Sequence, residues 1–185
     1  MSFRTTCLLC ASPSLTEVID LGMHPFADTF IPESRLSEPD LLYPLVVDRC
    51  ETCGGIQTRT VTPPDLRYQD YSYTSSNSET SQRHWRLFCR EVCAAVDLPR
   101  GAGVVEIGSN DGFLCQQFQT HQQCAVMGVD PSPAMAELAS ARGVETLNDL
   151  FDLDAADELL GLVGAPMLIV ANNVLNHANN PLNFA

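Results

Sequence analysis

Two cysteine pairs, Cys7-Leu-Leu-Cys10 and Cys50-Glu-Thr-Cys53, constrain this chain more than any other feature. Two-residue spacing lets both sulfurs of a pair converge on one ion, and a second pair completes a tetrahedron. Gly54 and Gly55 permit the tight, positive-φ turn that usually follows such a knuckle. The segment between the pairs, 11–49, is too short and too broken by proline to hold a core unaided. The spacing therefore predicts one structural Zn²⁺ on Cys7, Cys10, Cys50 and Cys53, with no vacant coordination position for chemistry. Iron on the same sulfurs, a redox pair and four unrelated thiols are the alternatives. Against the redox pair, neither motif opens a helix in a βαβ setting. Cys89, Cys93, Cys115 and Cys124 read instead as small buried apolar residues.

Eight cysteines and a start, MSFRTTCLLC, without a signal-peptide hydrophobic region predict reduced thiols and a cytoplasmic location. Apolar residues make up 45% of the 185, enough for a packed core rather than a disordered tail. All ten basic residues are arginine, against twenty-three acidic ones, for a net charge of −13. Without lysine there is no Schiff base and no P-loop lysine. Such an acidic surface repels a phosphate backbone, so no nucleic-acid partner is expected. The longest apolar runs, such as 166–171, fall far short of the ~18 residues of a membrane span.

Along the chain, residues 17–21 and 45–47 are short strand-like runs, and Pro63-Pro64 marks a boundary. The polar, aromatic stretch 71–78 has linker composition. From 79 to 96 the pattern is helical, with Trp85, Phe88, Cys89, Val92 and Val96 on one stripe and Ser78 as N-cap. After Gly103 the rhythm becomes α/β. Strands are predicted at 104–107, 125–129, 143–147 and 167–171, with helices at 131–142 and 152–162. Strands alternating with helices imply a parallel, doubly wound sheet whose site lies beyond the strands' carboxyl ends. The predicted division is 1–62 for metal binding, 63–98 for a connecting segment and helix, and 99–185 for a Rossmann-like cofactor domain.

The turn after the first parallel strand is Glu106-Ile-Gly108-Ser-Asn110-Asp111-Gly112. A dinucleotide turn would carry a middle glycine and receive a pyrophosphate on the helix N-terminus. Here that glycine is absent and two carboxylates flank the turn, which suits a cationic ligand. S-adenosylmethionine has an ammonium and a sulfonium and lacks phosphate. Asp130, ending the second strand, stands where a carboxylate can accept both ribose hydroxyl protons. It could equally cap the next helix, with Pro131 at the first helical position.

These motifs resemble a known family, the zinc-containing sugar C-methyltransferases acting on nucleotide-linked 4-keto-deoxysugars in antibiotic sugar pathways. The matching stretches are Asp20-Leu-Gly-Met-His-Pro25-Phe-Ala-Asp28-Thr-Phe30 and Tyr43-Pro-Leu-Val-Val-Asp-Arg-Cys50-Glu-Thr-Cys53-Gly54. They continue with Tyr71-Ser-Tyr73-Thr-Ser75-Ser76-Asn-Ser78, Glu106–Gly112, Gly128-Val-Asp130-Pro-Ser132 and Asn172-Asn173-Val-Leu-Asn-His177. The resemblance implies an α/β protein with an N-terminal four-cysteine zinc domain followed by a class I methyltransferase sheet. It implies S-adenosylmethionine held by Tyr71, Ser78, Glu106, Gly108, Asn110, Asp111, Gly112, Asp130, Asn172 and Asn173. It also implies that 71–78 is a segment packed near cofactor and substrate rather than a linker. It further implies a nucleotide-sugar substrate and His177 on the substrate side as proton carrier or enolate hydrogen-bond donor.

Family members are roughly twice this length, so the chain is expected to be an N-terminal portion that stops after the fourth strand. The family's general base would then lie beyond Ala185, and this portion alone is not expected to turn over. His177 could also be a helix-start histidine without chemistry. Arg83, Arg86 and Arg90 read as a solvated helix face or, alternatively, a diphosphate contact. An inactive cofactor-binding remnant and a zinc-ribbon interaction module are the rival functions. The sequence leaves the oligomeric state open.

Overall fold

A computed structural model describes residues 2–27, 30–68, 71–182 and 184, with side chains undescribed at 64 and 65. Asp28 and Thr29 of the first family motif therefore lie outside the described residues. The chain divides into two compact units, Met1–Asp70 with Ala178–Asn183 and Ala185, and Tyr71–His177 with Phe184.

The first unit contains β1 (Ser2–Phe3), β2 (Leu15–His24), a 3-10 turn at Glu33–Arg35, β3 (Tyr43–Cys50), β4 (Ile56–Thr58), β5 (Thr60–Val61) and α1 (Pro64–Tyr68). β2, β3 and β4 form an antiparallel sheet in that order, and β1 pairs antiparallel with β5. The core is thin. Val46, Cys7 and Cys50 are buried, joined by the polar Asp48, Gln57 and Thr60. Arg59 neutralises buried Asp48 through Nη2 at 2.6 Å and Nε at 3.0 Å, and reaches Glu17 at 2.9 Å. Residues 178–182 return to this unit, where Arg4 donates to Asn179 and Asn179 donates to the Thr62 carbonyl.

The second unit contains α2 (Glu79–Ala95), β6 (Gly103–Ile107), α3 (Phe113–Gln122), β7 (Ala125–Val129), α4 (Pro133–Ala141), β8 (Thr146–Leu147), α5 (Leu153–Val163), β9 (Leu168–Val170) and a 3-10 turn at Leu175–His177. All sheet pairings are parallel, in the order β8-β7-β6-β9. This is the doubly wound sheet expected from the alternating pattern. On one face, Cys89 and Cys93 of α2 pack with Leu114 and Phe118 of α3 against Val104. Ala139 of α4 meets Cys115 on α3. On the other face, Leu159 of α5 packs against Val105, Ile107, Met127 and Val129. The alternation of Val104 and Val105 between faces follows from the period of two in a strand.

Ser78 caps α2 as expected, its Oγ accepting from Ser81 N. The apolar stripe ends one turn sooner than predicted, with Cys93 buried and Val96 exposed because the helix stops at Ala95. Cys89, Cys93, Cys115 and Cys124 are all buried, matching the apolar reading. Helix α4 starts at Pro133 rather than Pro131, with Ser132 at the N-cap. Asp130 is therefore not the cap itself. Among the described residues no helix is long and apolar enough to cross a membrane.

Candidate functional site

The four paired cysteines converge. Their sulfurs all lie within 4.8 Å of one another, with Cys7–Cys53 and Cys10–Cys50 at 3.6 Å. A tetrahedral zinc with bonds of about 2.3 Å sets its sulfurs about 3.8 Å apart, so the spacing fits a shared ion and not a disulfide. The two knuckles share one backbone pattern. Ala11 N donates to Cys7 O and Cys7 N to Ser12 O, while Gly54 N donates to Cys50 O and Cys50 N to Gly55 O. Gly54 takes φ +76°, and at the equivalent place Ala11 takes φ +58°.

Gly55 serves differently from expectation. Its φ is ordinary, but an added Cβ would meet Leu9 Cδ1 at 3.0 Å and Cys53 Sγ at 3.4 Å. Backbone N–H groups aimed at sulfur lower the Cys7 and Cys50 thiols, from Leu9 at one and Cys53 at the other, favouring the thiolates that bind metal. Gln57 braces the first knuckle, accepting from Leu8 N at 2.9 Å and donating to Thr6 O at 3.1 Å. Nothing in the local sequence marks that role.

The second cluster gathers at the carboxyl ends of β6 and β7. Gly108 and Ser109 donate to Val129 O, and Gly112 N donates to Ser109 O. Gly108 (φ +69°) faces Val174, and Gly112 (φ +70°) abuts Ala139 and Val144, so both conformation and space demand glycine. Asp130 Oδ2 accepts from Asn110 N at 2.8 Å and Oδ1 from Ser132 N at 2.9 Å, while burial raises its carboxyl.

Asn110 ties the 73–76 segment to the turn. Its Oδ1 accepts from Ser75 N at 2.7 Å and its Nδ2 donates to Tyr73 O at 3.0 Å. Asp111, 1% exposed, accepts from Ser76 Oγ and from Arg142 Nη2 at 3.1 Å. Gln82 Nε2 holds Ser76 O and Ser81 Oγ holds Ser75 O. The stretch with linker composition is thus an ordered strap. Arg142 and Ser76, its fasteners, escaped the sequence reading because their partners lie far away in the chain.

Glu106 differs from both aspartates. It is 6% exposed, its Oε2 has no partner among the described residues, and burial pushes its carboxyl up to about 8. Asn172 Nδ2, just past β9, is likewise buried without a described partner. A buried acceptor and a buried donor left open in one sheet end fit a polar ligand. Tyr71 is half-buried, and Ser78 is exposed at its cap. Asn173 is exposed at φ +56°, and His177 sits exposed in the 3-10 turn, its N–H on Val174 O.

Residues 80–185, more than half the chain, match the methyltransferase domain family, and residues 7–68 match a zinc binding domain family. The chain belongs to the methyltransferase domain family. The two family matches imply S-adenosylmethionine and zinc as cofactors, and the four close cysteines fit zinc chemically. It is 28% identical over 171 residues to the C-methyltransferase NovU of Streptomyces niveus, covering 92% of this chain and 40% of that protein. The chain thus spans less than half the length of that relative.

Among solved structures, the chain is 24% identical to a chain from the complex of the Haloferax volcanii Trm112 methyltransferase activator with a methyltransferase. That match covers 40% of this chain and 34% of the other, with a TM-score of 0.33. A Thiobacillus denitrificans S-adenosylmethionine-dependent methyltransferase bound to S-adenosyl-L-homocysteine is 22% identical over 46% of this chain and 28% of its own, with a TM-score of 0.28. The fold itself rests on the strand order β8-β7-β6-β9 described above.

Proposed function

We propose that the chain carries the zinc and cofactor portions of an S-adenosylmethionine-dependent C-methyltransferase of nucleotide-linked 4-keto-deoxysugars. The observation behind the cofactor reading is the acidic turn 106–112, which leads from β6 into α3, bonds to the end of β7 and keeps an open buried carboxyl oxygen. The sugar reading rests on the ordered family motifs and on likeness to a C-methyltransferase over 92% of the chain. The proposed domains are 1–62 for zinc, 63–98 as connecting segment and helix, and 99–185 for the cofactor.

When bound, the cofactor supplies a methyl group on a cationic sulfur. Every other contribution is the protein's. Gly108 and Gly112, in left-handed backbone against Val174, Ala139 and Val144, let the turn pack tightly enough to fix its carboxylates. Asp130, already fixed by Asn110 N and Ser132 N, keeps lone pairs free to accept ribose hydroxyl protons. Asn110 and Asp111 hold the strap, and Tyr71 and Ser78 at its ends bound the same region. Asn172 and Asn173 offer amides from the end of β9. A ketone acidifies the neighbouring carbon-bound proton, and an enolate oxygen then needs a donor or a positioned proton carrier. His177 is the residue of this chain proposed for that task. The cytoplasm is the proposed location, and the chain's acidity suits a small-molecule substrate over a nucleic acid.

Two measurements test this reading. Calorimetry with S-adenosylhomocysteine tests the turn; NADH binding without a response to S-adenosylhomocysteine would refute it. Incubation with S-adenosylmethionine and a 4-keto nucleotide sugar, together with an added segment of family length, should give the mass gain of one methylene.

A further inference from the structure

We propose that Glu106 selects a cationic ligand at the 106–112 turn, releasing its own proton to solvent as the ligand enters. The proposal rests on the cofactor reading above and adds the rule by which the site tells charge. Glu106 lies in β6, opposite Gly128 of β7 and Val170 of β9. Neither neighbour can offer it a hydrogen bond from a side chain. From α3, Cys115 reaches it through thiol and backbone N–H, and Asp111 and Asp130 face it from the turn and from the end of β7. Arg142, following α4, is engaged by Asp111 and Ser76. Val170 brings no titratable group from β9, and Oε2 has no partner among the described residues.

An ionised Glu106 would be a third carboxylate in a water-poor cluster without a cation of its own. Desolvation and like-charge repulsion therefore hold the proton on it, at a value near 8, despite the opposing bonds from Cys115. An ammonium brought into the cluster reverses the balance, since opposite charges attract most strongly where water is scarce. The O–H bond of the carboxyl breaks, its proton passes to buffer, and the electron pair stays on oxygen facing the cation. The net charge of the site is unchanged. A phosphate-bearing or neutral ligand gains nothing from this exchange.

The test is calorimetry of the 185-residue chain with S-adenosylhomocysteine, which carries an α-ammonium, in two buffers of different ionisation enthalpy. Affinity should fall by up to about tenfold per pH unit below about 8, with proton release approaching one per ligand near neutrality. 5′-Methylthioadenosine, which lacks the ammonium, should bind without that slope. In Glu106→Gln, checked for folding by circular dichroism, the slope should vanish, while Asp130→Asn should retain it. Infrared difference spectra of the unmutated protein should show a protonated-carboxyl band lost on adding ligand. Equal affinity at acid and alkaline pH, or an unchanged slope in Glu106→Gln, would overturn the proposal and leave the cofactor reading standing. Failure to bind S-adenosylhomocysteine at every pH would overturn the cofactor reading itself.

Discussion

Arg142 donates to the Asp111 carboxylate at 3.1 Å across 31 positions of sequence, and the same guanidinium nitrogen holds Ser76 Oγ at 2.7 Å. One cation thereby fastens the strap to the turn. Arg142→Ala leaves the buried carboxylate with Ser76 and a long bond from Phe113 N alone. It should lower stability by about 3 kcal/mol, since breaking one side of a buried pair strands the other charge. Urea unfolding measures the loss, and cleavage within 71–78 by a protease should accelerate.

The four-cysteine cluster should hold about one zinc per chain, measured by elemental analysis of protein purified without a metal-binding tag. Cys50→Ala should unfold the first unit while leaving Cys89 and Cys115 shielded from thiol reagents. A folded first unit with less than about a tenth of that zinc would count against the assignment.

Ala11 occupies the conformation that Gly54 occupies in the second knuckle. Ala11→Gly should stabilise the zinc unit by about 1 kcal/mol, the cost of left-handed backbone for a residue with a Cβ. Slower zinc loss to a chelator is the readout.

Gly108→Ala would set a Cβ 2.5 Å from Val174 Cγ2 and force a methyl into φ +69°. A loss of about 2–3 kcal/mol is expected from overpacking and backbone strain together. Adding Val174→Ala should recover the steric share but not the backbone share, and a double-mutant cycle separates them.

Glu106 also sets a pH dependence of folding. Its carboxyl sits near 8 when folded and near 4.5 at its ordinary value. Below the lower value both states carry the proton. Between the two the unfolded chain releases it and the folded chain keeps it, so stability falls as pH rises and levels off above about 8. Glu106→Gln should flatten that part of the profile in urea titrations across the range.

The parallel strands and helices of the second unit were legible because each buries an apolar face with a regular period. β2 was only half legible. The sequence marks 17–21, whereas the strand runs Leu15–His24, exposed along nearly all its length and interrupted by register shifts after Glu17 and Asp20. Without a buried face or an unbroken register, alternation of apolar and polar residues leaves no trace. The Cys pairs and the turn glycines announced their clusters, since ligand spacing and positive φ are local demands. Composition alone hid the strap, because its partners Asn110, Asp111 and Arg142 are fixed by the fold; only the family resemblance marked 71–78 as a packed segment.

Among the described residues, β6 and β7 are the only strands of the parallel sheet with neighbours on both sides, and they pair with each other over five residues. Amide hydrogens of these inner strands should exchange with solvent only on global unfolding, while those of the two-residue β8 escape through local fraying. Gly108, Ser109 and Asn110 donate their N–H groups to Val129 and Asp130, at the end of β7. The acidic turn therefore hangs from the slowest-opening part of the unit, and its geometry should persist until the whole unit melts.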